Sequence, residues 1–327
     1  MNRRNFCMAA SALALPMGLA RSAWAASPYP NRPVRVIVPY AAGGGPDVLM
    51  RQMAPALGEA LGQPIVVENK VGAAGVLAAQ FVASAPADGY TLLMGSSTHL
   101  ILKLLQPSLS FDPLKDFAFA GKMSTSPSIL VVPSDSPYKT AAQLAAAAKA
   151  APGKFNYGSG GVGTGAHLAA STFGALNGLQ VVHIPLRGSV EITASLLRGD
   201  TQFAFPTAGT AVPQVKGGKL RALAVTSSKR LAELPDVPTW KELANDPLTV
   251  QESWSGLWAP AKTSPEIISR IHAAINTALK SPDLQAKARE GGSEVETSTS
   301  PAAFSTFVHA ENGKWAEIIR KGNVTGA

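Results

Sequence analysis

Val34, Val36, Ile37 and Val38 form a β-branched run that leads through Gly43, Gly44 and Gly45 to Pro46 and Asp47. Few arrangements restrict a chain more. The run has the composition of a buried strand, and proline and aspartate just after a glycine cluster suit the first turn of a helix. A strand passing through glycines into a helix leaves unpaired backbone N–H groups beside the positive end of the helix dipole. A carboxylate or phosphate can rest on such donors, and glycines let the main chain approach it closely. With Asp47 capping the turn, the same geometry is equally a sound helix start that binds nothing.

The next fifty residues extend the pattern. Residues 48–61 carry Leu49, Met53, Leu57 and Leu61 on one helical face, with Pro55 as an expected kink and Gly62 and Pro64 as the stop. Residues 65–67 read as a second strand, 75–85 as a second helix, and 90–94 as a third strand that ends in a loop carrying Ser97, Thr98 and His99. This β-α-β-α-β order implies a parallel sheet with helices on its faces, and such sheets bind ligands beyond the carboxyl ends of their strands. A second series starts near Ser128. Strands are expected at 129–132, 155–157, 181–184, 202–205 and 220–226, and helices at 140–151, 164–176, 190–197 and 211–216. One more strand at 253–259, with Trp254 and Trp258 on one face, and helices at 265–280 and 301–319 close the chain. Two α/β units and a return segment predict two lobes crossed twice: residues 26–126, 127–250, and 251–327 completing the first lobe.

The first 25 residues read as an export signal. Arg3 and Arg4 precede an apolar run over residues 6–20, and Ala23 and Ala25 offer small residues for cleavage before Ala26. The paired arginines fit a twin-arginine signal, and a general secretory signal is the alternative. Cys7 is the one cysteine, so the mature chain is expected to have neither disulfides nor thiol chemistry. The net charge of +8 falls to +5 once Arg3, Arg4 and Arg21 leave with the signal. Scattered basic residues and 6% aromatics exclude a nucleic-acid surface and leave room for small anionic ligands.

A second glycine cluster, Gly158-Ser-Gly-Gly-Val-Gly-Thr-Gly165, again separates a strand from a helix. It contains G-x-G-x-x-G, but the next strand lacks the acidic residue that would hold a ribose, and no phosphate-loop motif occurs. A second anion-accepting helix start is the better reading, with Ser159, Gly160 and Thr164 facing the first loop across a cleft. Gly44 is the expected point of ligand approach. His99, His167, His183, His272 and His309 have no metal-ligand spacing, and no hydrolase elbow or zinc-protease motif occurs, so neither cofactor nor metal is expected. His183 in its apolar strand reads as structural, His167 as either a cleft residue or a buried one, and Arg187 as a loop cation able to meet a carboxylate.

Many ordered segments together resemble one family. They are Tyr29-Pro-x-x-Pro33, Val38-Pro-Tyr-Ala-Ala-Gly-Gly-Gly-Pro-Asp47, Leu61-Gly-Gln-Pro-Ile-Val-Val-Glu-Asn69, Ala87-Asp-Gly-Tyr-Thr-Leu-Leu-Met-Gly95, Phe111-Asp-Pro-Leu-Lys-Asp-Phe117, Pro152-Gly-Lys-Phe-Asn-Tyr157, Leu220-Arg-Ala-Leu-Ala-Val-Thr226 and Leu234-Pro-Asp-Val-Pro-Thr239. The chain resembles the Bug (TctC-like) family, the extracytoplasmic solute receptors of tripartite tricarboxylate transporters. The resemblance implies a type II periplasmic binding protein fold, two Rossmann-like lobes closing on a small carboxylate, and two integral membrane subunits as partners. It places Tyr40, Gly44, Asp47, Ser97, Thr98, His99, Ser159, Gly160, Thr164 and His167 at the ligand. Three departures add Arg187, Pro206 and Thr207 to these residues. Phe205-Pro206-Thr207 stands where Phe-Asp-Asn is common, Ile184-Pro185-Leu186-Arg187-Gly188 where Val-Pro-Tyr-Lys-Gly is usual, and Gly45-Pro46 where alanine and threonine recur.

The expected protein is a monomeric, non-enzymatic periplasmic receptor for an organic mono- or dicarboxylate. Apolar Leu186 and Pro206 favour a bulkier or aromatic one. A secreted hydrolase using Ser159 and His167, and a sensor serving a signalling partner, are the alternatives.

Overall fold

The computed structural model describes residues 29–321 and 324. The export signal over residues 1–25, its cleavage site and Cys7 lie outside the described residues. The first lobe opens with β1 (Val34–Val38), α1 (Gly45–Leu61), β2 (Ile65–Asn69), α2 (Val76–Ala83), β3 (Thr91–Ser96), α3 (Ser97–Leu105) and β4 (Phe117–Pro127). The second holds β5 (Ile129–Pro133), α4 (Ala141–Ala150), β6 (Phe155–Ser159), α5 (Gly165–Asn177), β7 (Val181–Pro185), α6 (Ser189–Arg198), β8 (Phe203–Ala204), α7 (Ala208–Lys216), β9 (Leu220–Val225) and α8 (Trp240–Ala244). The chain then returns through β10 (Glu252–Pro260), α9 (Pro265–Ala278), α10 (Pro282–Glu290), β11 (Glu294–Val295) and α11 (Pro301–Lys321).

Both sheets follow one plan. The first has the order β11-β4-β10-β3-β1-β2 and the second β7-β6-β8-β5-β9. In each, the strand that has just crossed from the other lobe inserts antiparallel beside the third strand: β10 pairs with β3 and β4, and β5 with β8 and β9. The crossings meet at Thr226, which is fully buried. Its hydroxyl accepts from Ser128 N–H at 2.9 Å and donates to Gln251 O at 2.6 Å, tying the two connecting segments side by side.

Local sequence explains most elements. In α1 the stripe Leu49, Met53, Leu57 and Leu61 is buried against the sheet, and Gly62 ends the helix in the left-handed region at φ 80°. The helix runs through Pro55 as one element rather than breaking there. Thr140 caps α4 by accepting from Gln143 N–H. Trp254 and Trp258 do share a face, at 6.2 Å, and pack with Phe304 and Trp315 of α11 in one aromatic cluster of the core. Truncating a fully buried tryptophan such as Trp258 would cost about 3–5 kcal/mol.

Sequence expectation lacks α8, α10 and β11, and two further departures bear on the site. Ser97, Thr98 and His99 are the first turn of α3, not a loop, because Ser96 and His99 close a capping box before an apolar helical face. Phe117–Pro127 is an eleven-residue strand whose polar second half hides it from the hydrophobic pattern.

Candidate functional site

Five helices, α1, α3, α5, α6 and α7, begin at the walls of one cavity of about 390 Å³ between the two sheets. Gly44, Gly45 and Pro46 reach it from α1, Ser96 and Thr98 from α3, Thr164, Gly165 and Ala166 from α5, Gly188 and Val190 from α6, and Thr207 and Gly209 from α7. Each start carries first-turn amides with no acceptor inside the helix and a partial positive charge of about half a unit. Against this, the charged side chains among the lining residues are Arg187 and Glu191, one of each sign. The rest is hydroxyls and apolar groups, among them Tyr40, Leu49, Met94 and Ile192. A cavity of this kind attracts an anion through oriented peptide dipoles rather than through a countercharge.

The two glycine loops are braced differently. In the first, Asp47 is buried and its side chain faces away from the cavity. Its carboxylate accepts from Gly43 N–H at 2.9 Å, Arg51 Nε at 3.0 Å and Asn69 Nδ2 at 2.8 Å. Burial alone would raise its pKa, but the bonds from Arg51, Gly43 and Asn69 prevail and hold it below the ordinary carboxylate value. Gly43 takes the left-handed conformation at φ 80°, whereas Gly44 sits at φ −72° and leaves space beside it except for Ala41 O. The tight positions are elsewhere. A Cβ on Gly45 would lie 3.3 Å from Thr207 Oγ1, one on Gly163 2.7 Å from Leu102 Cδ2, and one on Gly165 2.6 Å from Ser253 Oγ. These glycines are where one lobe's backbone meets the other lobe.

The second loop is held by neutral groups. Ser159 Oγ donates to Gly161 O, accepts from Gly161 N–H, and shares a 2.6 Å bond with His183 Nε2. His167 Nδ1 accepts from Gly163 N–H at 3.3 Å, and Thr164 Oγ1 caps α5 by accepting from His167 N–H. His167 is buried against His183 with ring centres 4.5 Å apart, and burial, helped by His183, lowers its pKa to about 4. Burial likewise lowers His183. His99 plays the matching part in the first lobe: its Nδ1 lies 3.2 Å from Ser96 N, and burial brings its pKa to about 4.

Of the residues singled out from sequence, Tyr40, Gly44, Thr98, Gly160, Thr164, Arg187 and Thr207 line the cavity. Tyr40 Oη bonds Ser96 Oγ and Thr98 Oγ1, each at 3.1 Å, so this hydroxyl cluster is set before any ligand arrives. Asp47, Ser97, His99, Ser159, His167 and Pro206 do not line it. Asp47, His99, Ser159 and His167 instead hold the loops and helix starts that do, Ser97 is buried in the first turn of α3, and Pro206 O accepts from Ile129 N–H inside the second sheet. Ser159 is fully buried, and its imidazole partner is His183 rather than the expected His167. Sequence reading misses Ser124, Ser126, Ser253, Ser255 and Ser293, which also line the cavity. Ser124 and Ser255 bond across β4 and β10 at 2.7 Å, and Ser293 donates to Ser126 at 3.0 Å. Their alternate spacing, Ser124 with Ser126 and Ser253 with Ser255, is the signal that could have found them, since residues two apart share a strand face.

The family model for the tripartite tricarboxylate transporter family receptor, TctC, matches residues 49–324. Protein BugT of Bordetella pertussis is 35% identical over 305 residues, covering 92% of each chain. The solved structure of periplasmic binding protein BugD superposes with a TM-score of 0.87 at 30% identity, covering 91% of this chain and 99% of that one. An R. palustris protein solved with adipate gives 0.86 at 30% identity over the same shares. The two-lobed architecture is thus the periplasmic binding protein fold.

Proposed function

This chain belongs to the tripartite tricarboxylate transporter receptor family, and from that premise we propose that the mature protein is a non-enzymatic periplasmic receptor that captures a small organic carboxylate between its lobes. One observation carries this reading: five helix starts face one cavity in which the lining side chains carry no net charge. The carboxylate rests on amides of α1 and α5, Tyr40, Thr98 and Thr207 supply hydroxyls, and the apolar walls at Leu49, Met94 and Ile192 take the body of a bulkier or aromatic acid. Gly45, Gly163 and Gly165 let the lobes, residues 26–126 with 251–327 and residues 127–250, close around it. The adipate found in the R. palustris neighbour supports a carboxylate as the ligand class.

The export signal is removed before Ala26, the monomer works without a cofactor, and two integral membrane subunits receive the ligand. Among the described residues no helix is long and apolar enough to cross a membrane. A thermal-shift screen against aliphatic, aromatic and amino-acid carboxylates tests the reading. A ligand at 100 times its Kd should add about 2.7 kcal/mol, or about 4 °C for a protein of this size. A screen without any carboxylate response, together with ester or amide turnover abolished by Ser159→Ala, would replace the receptor with a hydrolase.

A further inference from the structure

A carboxylate side chain is out of place in the wall of an anion-binding cavity, yet Glu191 lines this one. It stands in the first turn of α6, where Oε2 accepts from Arg187 N–H at 2.8 Å and Oε1 lies 3.8 Å from Arg187 Nε. The Arg187 side chain is 82% exposed and that of Glu191 45%, so water screens the guanidinium more than the carboxylate, and an ion pair of that length and exposure neutralises little. Glu191 also offsets the dipole of its own helix. The starts of α3, α5 and α7 have no acidic residue in their first turns. That of α1 has Asp47, whose carboxylate is turned from the cavity and occupied by Arg51, Asn69 and Gly43. The cavity is therefore one-sided. It welcomes an anion along α1, α3, α5 and α7, and beside α6 it offers an anion flanked by apolar Val190 and Ile192.

We propose that Glu191 determines charge specificity, so that the ligand is a monocarboxylate whose far end is apolar or uncharged. The inference rests on the carboxylate reading of the cavity and narrows it. A second carboxylate reaching α6 would lose hydration against Val190 and Ile192 and meet a like charge, with only the water-screened Arg187 as a cation among the lining residues. An apolar end would lie on those same two side chains, and a hydroxyl end could donate to Glu191. Because a neighbour of the same fold was solved with the dicarboxylate adipate, the charge of the far end is the informative variable.

Calorimetric titration at about pH 7.5, where carboxylates are ionised, decides it with two matched pairs: hexanoate with adipate, and 4-methylbenzoate with benzene-1,4-dicarboxylate. The proteins are the wild type, Glu191→Gln, which keeps an acceptor for Arg187 N–H, and Glu191→Ala as a second variant, each checked by circular dichroism. In at least one pair the wild type should prefer the monoanion by about tenfold or more, and in both variants that ratio should shrink by about fivefold or more. Wild-type binding of the dianion as tight as that of its monoanion overturns the proposal, and so does a ratio that stays the same in both folded variants. Silence from all four compounds overturns it as well. If the broader carboxylate screen is also silent, the receptor reading falls with it.

Discussion

The loops that begin α1 and α5 occupy equivalent places in the two lobes, yet one is held by charge and the other by neutral imidazole and hydroxyl groups. Asp47 gathers Gly43, Arg51 and Asn69 around a buried carboxylate. Ser159, His167 and His183 brace the second loop without a formal charge. Similar backbone shapes thus rest on chemistries that fail under different conditions. Acid should loosen the second loop well before the first.

The largest effect expected from this contrast is on stability in acid. His99 and His167 are held neutral in the folded protein with pKa values of about 4, below the ordinary 6.5. As pH falls below about 6.5 the unfolded imidazoles take up protons that the buried ones refuse, so stability declines until about pH 4, by roughly 3 kcal/mol per imidazole. Asp47 responds in the same direction but in a lower window, since its lowered pKa keeps its contribution intact above the ordinary carboxylate value and surrenders it only as pH falls from there through the native one. Amide exchange should show the Gly163 N–H losing protection between about pH 6.5 and 4 while the Gly43 N–H stays protected. Loss of both together would mean that the loops are not independently braced.

A smaller effect distinguishes the braces at neutral pH. Asp47→Ala removes an acceptor from Gly43, Arg51 and Asn69 and should destabilise by about 3 kcal/mol, whereas Ser159→Ala, which removes neutral bonds, should cost about 1 kcal/mol. Urea denaturation of both variants would erase the distinction if Ser159→Ala proved the more damaging. The smallest effect is expected at Arg187. Its exposed guanidinium is peripheral, so Arg187→Ala should weaken carboxylate binding by less than about tenfold, or 1.4 kcal/mol. A complete loss would move the anion from the helix starts to a guanidinium clamp.

Much of the fold can be read from hydrophobic period and glycine position. β1, α1 and α5 are plain because β-branched runs, a period of 3.6 and N-cap threonine agree with one another there. β4 is not, since Lys122, Ser124 and Ser126 line its polar stretch and its pairing with β10 is a long-range fact. At the site, motif resemblance finds the helix starts but does not separate residues that face the cavity from those that hold its frame. Asp47, His99 and His167 are as near in sequence to the loops as Tyr40 and Thr164 are, and only their hydrogen bonds show that they point inward to the protein. The alternate spacing of the cavity serines is visible in sequence, but that Ser124 and Ser255 share one wall depends on β4 and β10 lying side by side.

If helix starts, rather than a charged side chain, capture a carboxylate between the lobes, the negative charge of the ligand must matter more than its shape. Calorimetric titration of the wild-type protein with its best carboxylate and with the primary amide of the same acid measures that difference. Saturable binding of the carboxylate and none detectable for the amide is the expected result, a difference of about a hundredfold or more. Equal affinity for the two would contradict capture by helix starts, because a cavity built around the positive ends of helices has no reason to accept a neutral group as readily as an anion.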